Sequence, residues 1–143
     1  MGNKLSIKKM NYEDIQEVIN KKHECLLIST LPIHNQECLI TNSIRADLEE
    51  NIINALLYKN KNKKIIIYGK NSNDLTIYEK YQQLNDLGFK HIYLYPGGLF
   101  EWCLLQDIFG EDLFKTTSKV QDILKYKPPS LINHSENSYL LIN

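Results

Sequence analysis

The run Ile65-Ile66-Ile67-Tyr68 constrains the fold more than any other part of the chain. It is apolar throughout and its three isoleucines are β-branched, so it must be covered on both faces. Strands of that kind occupy the centre of parallel sheets, where crossover helices shield both sides. Cys25-Leu26-Leu27-Ile28 is a second run of strand length, Leu39-Ile40 reads as a shorter one, and residues 91–95 read as another. Helical spacing separates them. Asn11 is placed to cap a helix whose apolar positions Ile15, Val18 and Ile19 follow i, i+3, i+4. Leu48, Ile52, Ile53, Leu56 and Leu57 mark a second helix. Asp47, Glu49 and Glu50 lie at its start and Lys59, Lys61, Lys63 and Lys64 at or past its end, as the macrodipole favours. Asp74 is placed to cap a third helix, with Ile77, Tyr78, Tyr81, Leu84 and Leu87 on its buried side and Gly88 closing it. Pro96-Gly97-Gly98 then turns the chain into a last apolar helix over 99–109, with Gly110 after it. Alternation at this spacing predicts right-handed βαβ units. The fold class is therefore α/β, a three-layer α/β/α arrangement with a mainly parallel sheet.

A length of 143 residues supports one domain. We place it at 5–114, with a C-terminal extension over 115–143. In that extension Asp122-Ile123-Leu124-Lys125-Tyr126 is amphipathic, Pro128-Pro129-Ser130 interrupts it, and Tyr139-Leu140-Leu141-Ile142 is an apolar patch. Seventeen basic residues balance seventeen acidic ones, so no broad cationic face is available and no nucleic-acid partner is expected. No apolar run approaches the roughly 20 residues that cross a bilayer. The first six residues also lack the apolar stretch of a secretory signal. Cys25, Cys38 and Cys103 have no metal-ligand spacing, which fits free thiols in a reducing, cytoplasmic compartment. His23, His34, His91 and His134 do not cluster, so neither a metal nor another cofactor is expected. Met1-Gly2-Asn3-Lys4-Leu5-Ser6 matches the pattern for N-myristoylation of Gly2. Lys4, Lys8 and Lys9 would add attraction to anionic lipid, and the acylated chain would be peripheral to a membrane. The competing reading makes residues 5–10 the first edge strand.

In open parallel sheets, sites lie beyond the carboxyl ends of the strands. The loop that follows the central strand, Gly69, Lys70, Asn71, Ser72, Asn73 and Asp74, is accordingly the candidate site. It joins a buried strand to a helix start, where backbone N–H groups can converge on an anion. Ser72 has no base placed beside it and reads as an ordinary loop serine.

The segment Tyr68-Gly69-Lys70-Asn71-Ser72-Asn73-Asp74, the helix end Leu87-Gly88-Phe89, the strand Ile92-Tyr93-Leu94-Tyr95 and the stretch Gly97-Gly98-Leu99-Phe100-Glu101-Trp102 together resemble the second half of a rhodanese domain. The first half is similar more loosely, through Leu27-Ile28-Ser29-Thr30-Leu31 and Leu39-Ile40 to Ile44. The helix Leu104-Leu105-Gln106-Asp107-Ile108-Phe109-Gly110 resembles a subgroup from unicellular eukaryotes and large DNA viruses. The resemblance implies the rhodanese-like fold and a catalytic loop at 69–74. It also implies a cysteine at the loop's first position, whose thiolate takes up sulfur as a persulfide. That position is Gly69, which has no functional group. Where the family often has a cation near the loop's end, this chain has Asp74. The family's Asp and Arg after the second strand are replaced by Ser29 and Leu31. The resemblance thus implies a member with no catalytic residue in the usual place, acting as a protein-binding or scaffold module. The alternative is an atypical sulfurtransferase or anion-binding enzyme that uses the 69–74 loop with a cysteine from elsewhere. Gly69→Cys is expected to give a thiol of depressed pKa, and the double change with Asp74→Arg is the better probe.

Overall fold

The computed structural model describes residues 7–132. Gly2, Ser6, His134 and the patch at 139–142 lie outside the described residues. The elements run β1 (Lys8–Lys9), α1 (Tyr12–Ile19), β2 (Cys25–Ser29), β3 (Ser43–Ile44), α2 (Ala46–Lys59), β4 (Lys64–Tyr68), α3 (Thr76–Asp86), β5 (Ile92–Tyr95) and α4 (Gly98–Phe109). The five strands form one sheet in the order β1-β5-β4-β2-β3, and every pair is parallel. β4 is central, as its composition requires, and Ile65, Ile66, Ile67 and Tyr68 are fully buried. Side chains alternate across a strand. Ile65 and Ile67 therefore enter the core with Ile53 of α2 and with Ile77 and Leu84 of α3. Ile66 and Tyr68 enter the opposite core with Ile15 and Val18 of α1 and with Leu99 and Trp102 of α4. The result is the expected three-layer α/β/α arrangement.

Local chemistry sets the element ends. Asn11 Oδ1 accepts from the N–H groups of Glu13 and Asp14, while Asp14 Oδ2 accepts from Asn11 N–H, a reciprocal cap on α1. Past α3, Phe89 N–H bonds Leu84 C=O and Gly88 N–H bonds Asn85 C=O. That closure needs the positive φ of Gly88, 102°.

Three expectations are corrected. Leu39-Ile40 is buried but is not a strand. The edge strand is Ser43–Ile44, beside Leu27 and Ile28. Ile40 instead forms an antiparallel bridge with Thr116. Asp74 is not the cap of α3, which begins at Thr76 with no side-chain cap. Tyr78 and Leu87 do not join the buried side, being 38% and 39% exposed. The stripe facing the sheet is the narrower i, i+4, i+7 set of Ile77, Tyr81 and Leu84.

Beyond α4, residues 115–127 turn back as a strap along segment 37–41 and across α4. Thr41 N–H donates to Lys115 C=O and Thr117 N–H to Leu39 C=O. Ser118 Oγ donates to Glu37 C=O, and Lys125 pairs with the Glu37 carboxylate. A short 3-10 turn at Ile123–Tyr126 buries the Tyr126 ring. Among the described residues no helix is long and apolar enough to cross a membrane.

Three tyrosines make the fold sensitive to alkali. Burial pushes the phenol pKa of Tyr68 and of Tyr95 well above the ordinary value, with the Tyr95 shift increased by its bond to Glu101. Burial also pushes Tyr126 up to about 12. A folded pKa above the unfolded value near 10 means that stability is complete below about pH 10 and is lost as pH rises toward the folded values. Three of the nine tyrosines are therefore expected to ionise only together with unfolding. Phenolate absorbance and circular dichroism, followed in parallel through the alkaline range, check this.

Candidate functional site

The loop at 69–74 leaves the carboxyl end of β4 and is anchored from below by the start of α4. Leu99 N–H donates to Gly69 C=O and Phe100 N–H to Lys70 C=O, each at 2.9 Å. The contact is close because residue 98 is glycine. A Cβ there would lie 2.8 Å from Gly69 O and 2.9 Å from Asn71 N, and its φ of 71° disfavours any side chain. Residues 69 and 98 thus bring the loops of adjacent strands into backbone contact.

The loop is also tied from above. Buried Asn71 donates through Nδ2 to Tyr126 C=O of the strap at 2.9 Å, and its Oδ1 accepts from Asn73 N–H. Ser72 and Asn73 face solvent, while Lys70 and Asp74 are half-buried.

Asp74 determines what this loop can do. Its Oδ2 accepts from Lys70 N–H at 2.8 Å, and its Oδ1 accepts from Thr76 N–H at 3.0 Å. Thr76 Oγ1 lies 2.5 Å from the same Oδ1 and 2.7 Å from Thr30 Oγ1. The carboxylate thus crosses the mouth of the loop, and charge-assisted bonds of this kind are among the stronger ones in proteins. A Cβ at Gly69 would fall 2.5 Å from Asp74 Oδ2 and 3.0 Å from Ile77 Cγ2. Gly69 is not among the glycines of positive φ, so its backbone would accept a side chain. What a side chain there would meet is Asp74, whose carboxylate would have to shift. The Asp74 carboxylate stands where the expected thiol of Gly69→Cys would enter, so the double change at 69 and 74 is the better probe of the loop, as the sequence suggests. The neighbouring loop repeats the arrangement. Glu101 accepts from Tyr95 Oη at 2.5 Å, and its carboxylate occupies the space a Cβ at Gly97 would need.

No thiol lies on the loop. Cys25 opens β2 at its amino end, whereas the loop follows the carboxyl end of β4. Cys38 lies beneath the strap, and Cys103 is on the buried stripe of α4 with Leu99 and Trp102; all three thiols are buried. Ser29 is buried, and its Oγ accepts from Leu31 N–H. Among the described residues no group of three or more His, Cys, Asp or Glu is placed to hold a metal ion. The bond of the Cys38 thiol to Ser118 C=O of the strap was not foreseen from the sequence, which separates the two by 80 residues.

The sequence model of the rhodanese-like domain family matches residues 13–105. No curated protein matches the chain. Solved structures share its fold. The BH2092 protein of Bacillus halodurans superposes with a TM-score of 0.57 at 20% identity, over 76% of this chain and 77% of that one. The Alr3790 protein of Anabaena sp. gives 0.57 at 15%, over 94% and 100%. The Saccharomyces cerevisiae single-domain sulfurtransferase RDL2 gives 0.54 at 13%, over 76% and 95%. By the extent of the family match, and with this sheet order and loop placement, the chain belongs to the rhodanese-like domain family.

Proposed function

We propose that this rhodanese-like domain does not transfer sulfur and acts as a protein-binding or scaffold module. The observation that carries the reading is the pairing of Gly69 with Asp74. Where a persulfide-forming thiolate would stand there is no side chain, and the volume is filled by a carboxylate held by Lys70 N–H. A carboxylate there repels thiosulfate and has no sulfur to receive the transferred atom. The three thiols are buried and none belongs to the loop, so none is presented to a dissolved anion. Surface for a partner is available. An open groove of about 550 Å³ runs between α2 and α3, lined by Ile53, Leu84 and Leu87 among charged neighbours, and Tyr58 is 93% exposed.

A thiosulfate-to-cyanide assay tests the catalytic half of this reading. Thiocyanate is expected to form at the uncatalysed rate. Turnover that disappears on replacing one of the cysteines overturns the reading.

A further inference from the structure

Basic and acidic residues balance in number, but the fold does not distribute them evenly. Segments 20–24, 59–64 and 86–91 lead into β2, β4 and β5. They carry seven lysines, two in the first, four in the second and one in the third, against the carboxylates of Glu24 and Asp86. A parallel sheet gathers such segments at one end, because its strands all start there. Cys25 is in register with Lys64, and Ile65 with Ile92. Lys63 Nζ donates to His23 C=O, and Lys90 N–H donates to Lys61 C=O. Six of the seven lysines are exposed, Lys63 being half-buried. Among the described residues none of them pairs with a carboxylate. An open pocket of about 290 Å³ extends this surface toward β1, with Lys8, Lys90, His91 and Asn85 in its wall and no carboxylate. The even charge balance of the sequence therefore conceals a cationic face at the amino end of the sheet.

We propose that this face is where the domain lies on an anionic lipid bilayer. Three observations favour lipid over nucleic acid. The charges are lysines, compact and strongly hydrated, which suit the diffuse field of anionic headgroups; the bidentate fork of arginine, the commonest reader of base edges, is missing from the face. The one arginine of the chain, Arg45, precedes α2 at the opposite end of the sheet. Tyr58 stands beside Lys59 in the last turn of α2 and is 93% exposed. A ring with an apolar body and a polar tip, set among lysines, suits the headgroup layer. The third observation is the direction of β1. It runs parallel to β5, so the chain enters it from this same end. Gly2 precedes Ile7 by five residues, a reach of about 17 Å in extended chain. An acyl chain on Gly2 would therefore be delivered to the surface that the lysines face. One acyl chain holds a protein at a membrane only with a second attraction, and a polybasic patch supplies it. The loop at 69–74 leaves the other end of the strands, so on a bilayer it faces the solvent.

The full-length chain is sedimented with vesicles of phosphatidylcholine containing about one-third phosphatidylserine, at about 0.1 M salt. It is expected to pellet with them, to stay in solution with phosphatidylcholine alone, and to be released at about 0.5 M salt. Each lysine near such a surface contributes roughly fivefold to the partition coefficient. Lys64→Glu with Lys90→Glu is therefore expected to lower it by at least about 25-fold. Arg45→Glu with Lys127→Glu makes the same change in net charge at the other end, where Lys127 follows the carbonyl that holds Asn71, and is expected to lower it by less than about threefold. All four side chains are exposed, so both variants fold, as circular dichroism checks. No pelleting with the charged vesicles, retention at high salt, equal losses in the two variants, or displacement from the vesicles by a duplex RNA would overturn the proposal. The salt and competition arms use the unsubstituted chain and decide even if a variant fails to fold.

Discussion

Gly69→Cys alone is expected to destabilise the protein by about 3 kcal/mol and to leave the introduced thiol without a depressed pKa. The new Cβ starts 2.5 Å from Asp74 Oδ2, so the carboxylate must leave. Its departure breaks the bond to Lys70 N–H. A hydrogen bond to a charged group contributes about 1.5–3 kcal/mol, and crowding a packed site costs a further 1–3 kcal/mol. The displaced carboxylate remains beside the thiol and opposes its ionisation. Gly69→Cys with Asp74→Ser reverses both effects. The serine keeps a short acceptor for Thr76 N–H, room opens at position 69, and Lys70 N–H is free to bond a thiolate. The double variant is expected to recover most of the lost stability and to show a thiol pKa at least about 1 unit below the ordinary 8.5. Urea midpoints and the pH dependence of alkylation of the introduced thiol measure the two effects; the native thiols are buried. Equal pKa values in the single and double variants would show that Asp74 does not fill the loop.

Trp102→Ala is expected to cost about 4–5 kcal/mol and to release the strap. Trp102 is fully buried. Its ring meets Phe114 edge-on at 5.0 Å between centroids and Tyr95 at 6.3 Å. Its Nε1–H donates to Lys115 C=O at 3.0 Å, where the chain turns into the strap. Truncating a large core aromatic costs about 3–5 kcal/mol, and losing one of the two hydrogen bonds to Lys115 C=O, which keeps the one from Thr41 N–H, adds about 1 kcal/mol. In a domain with 5–15 kcal/mol in total, that lowers the melting temperature by roughly 10–20 °C. Hydrogen exchange locates the loss. Thr41 and Thr117, whose amides bond across the strap, lose protection before the amides of β4.

The chemistry of β4 was legible because three consecutive buried isoleucines have only one place in an α/β domain. The capped start of α1 and the Gly88 turn were legible because each depends on residues within five positions of one another. Leu39-Ile40 was misread because its partner, Thr116, is 76 residues away. Apolar periodicity reports burial but not what covers it. The role of Asp74 was misread for a subtler reason. Aspartate before a helical pattern is a good N-cap signal, yet here two donors compete for one carboxylate. Lys70 N–H, four residues back in a tight loop, takes Oδ2 and Thr76 N–H takes Oδ1, so Asp74 sits one residue ahead of the N-cap position, which Leu75 fills without a side-chain bond. The absence of a loop thiol was plain in the sequence, but its replacement by a carboxylate was not.

A chain without a loop thiol is expected to accept a sulfane atom on none of its sulfurs. Intact-mass analysis of the reduced protein after incubation with thiosulfate asks that question directly. The predicted result is an unchanged mass. A gain of about 32 Da mapping to a single cysteine, the persulfide of a working nucleophile, would contradict it.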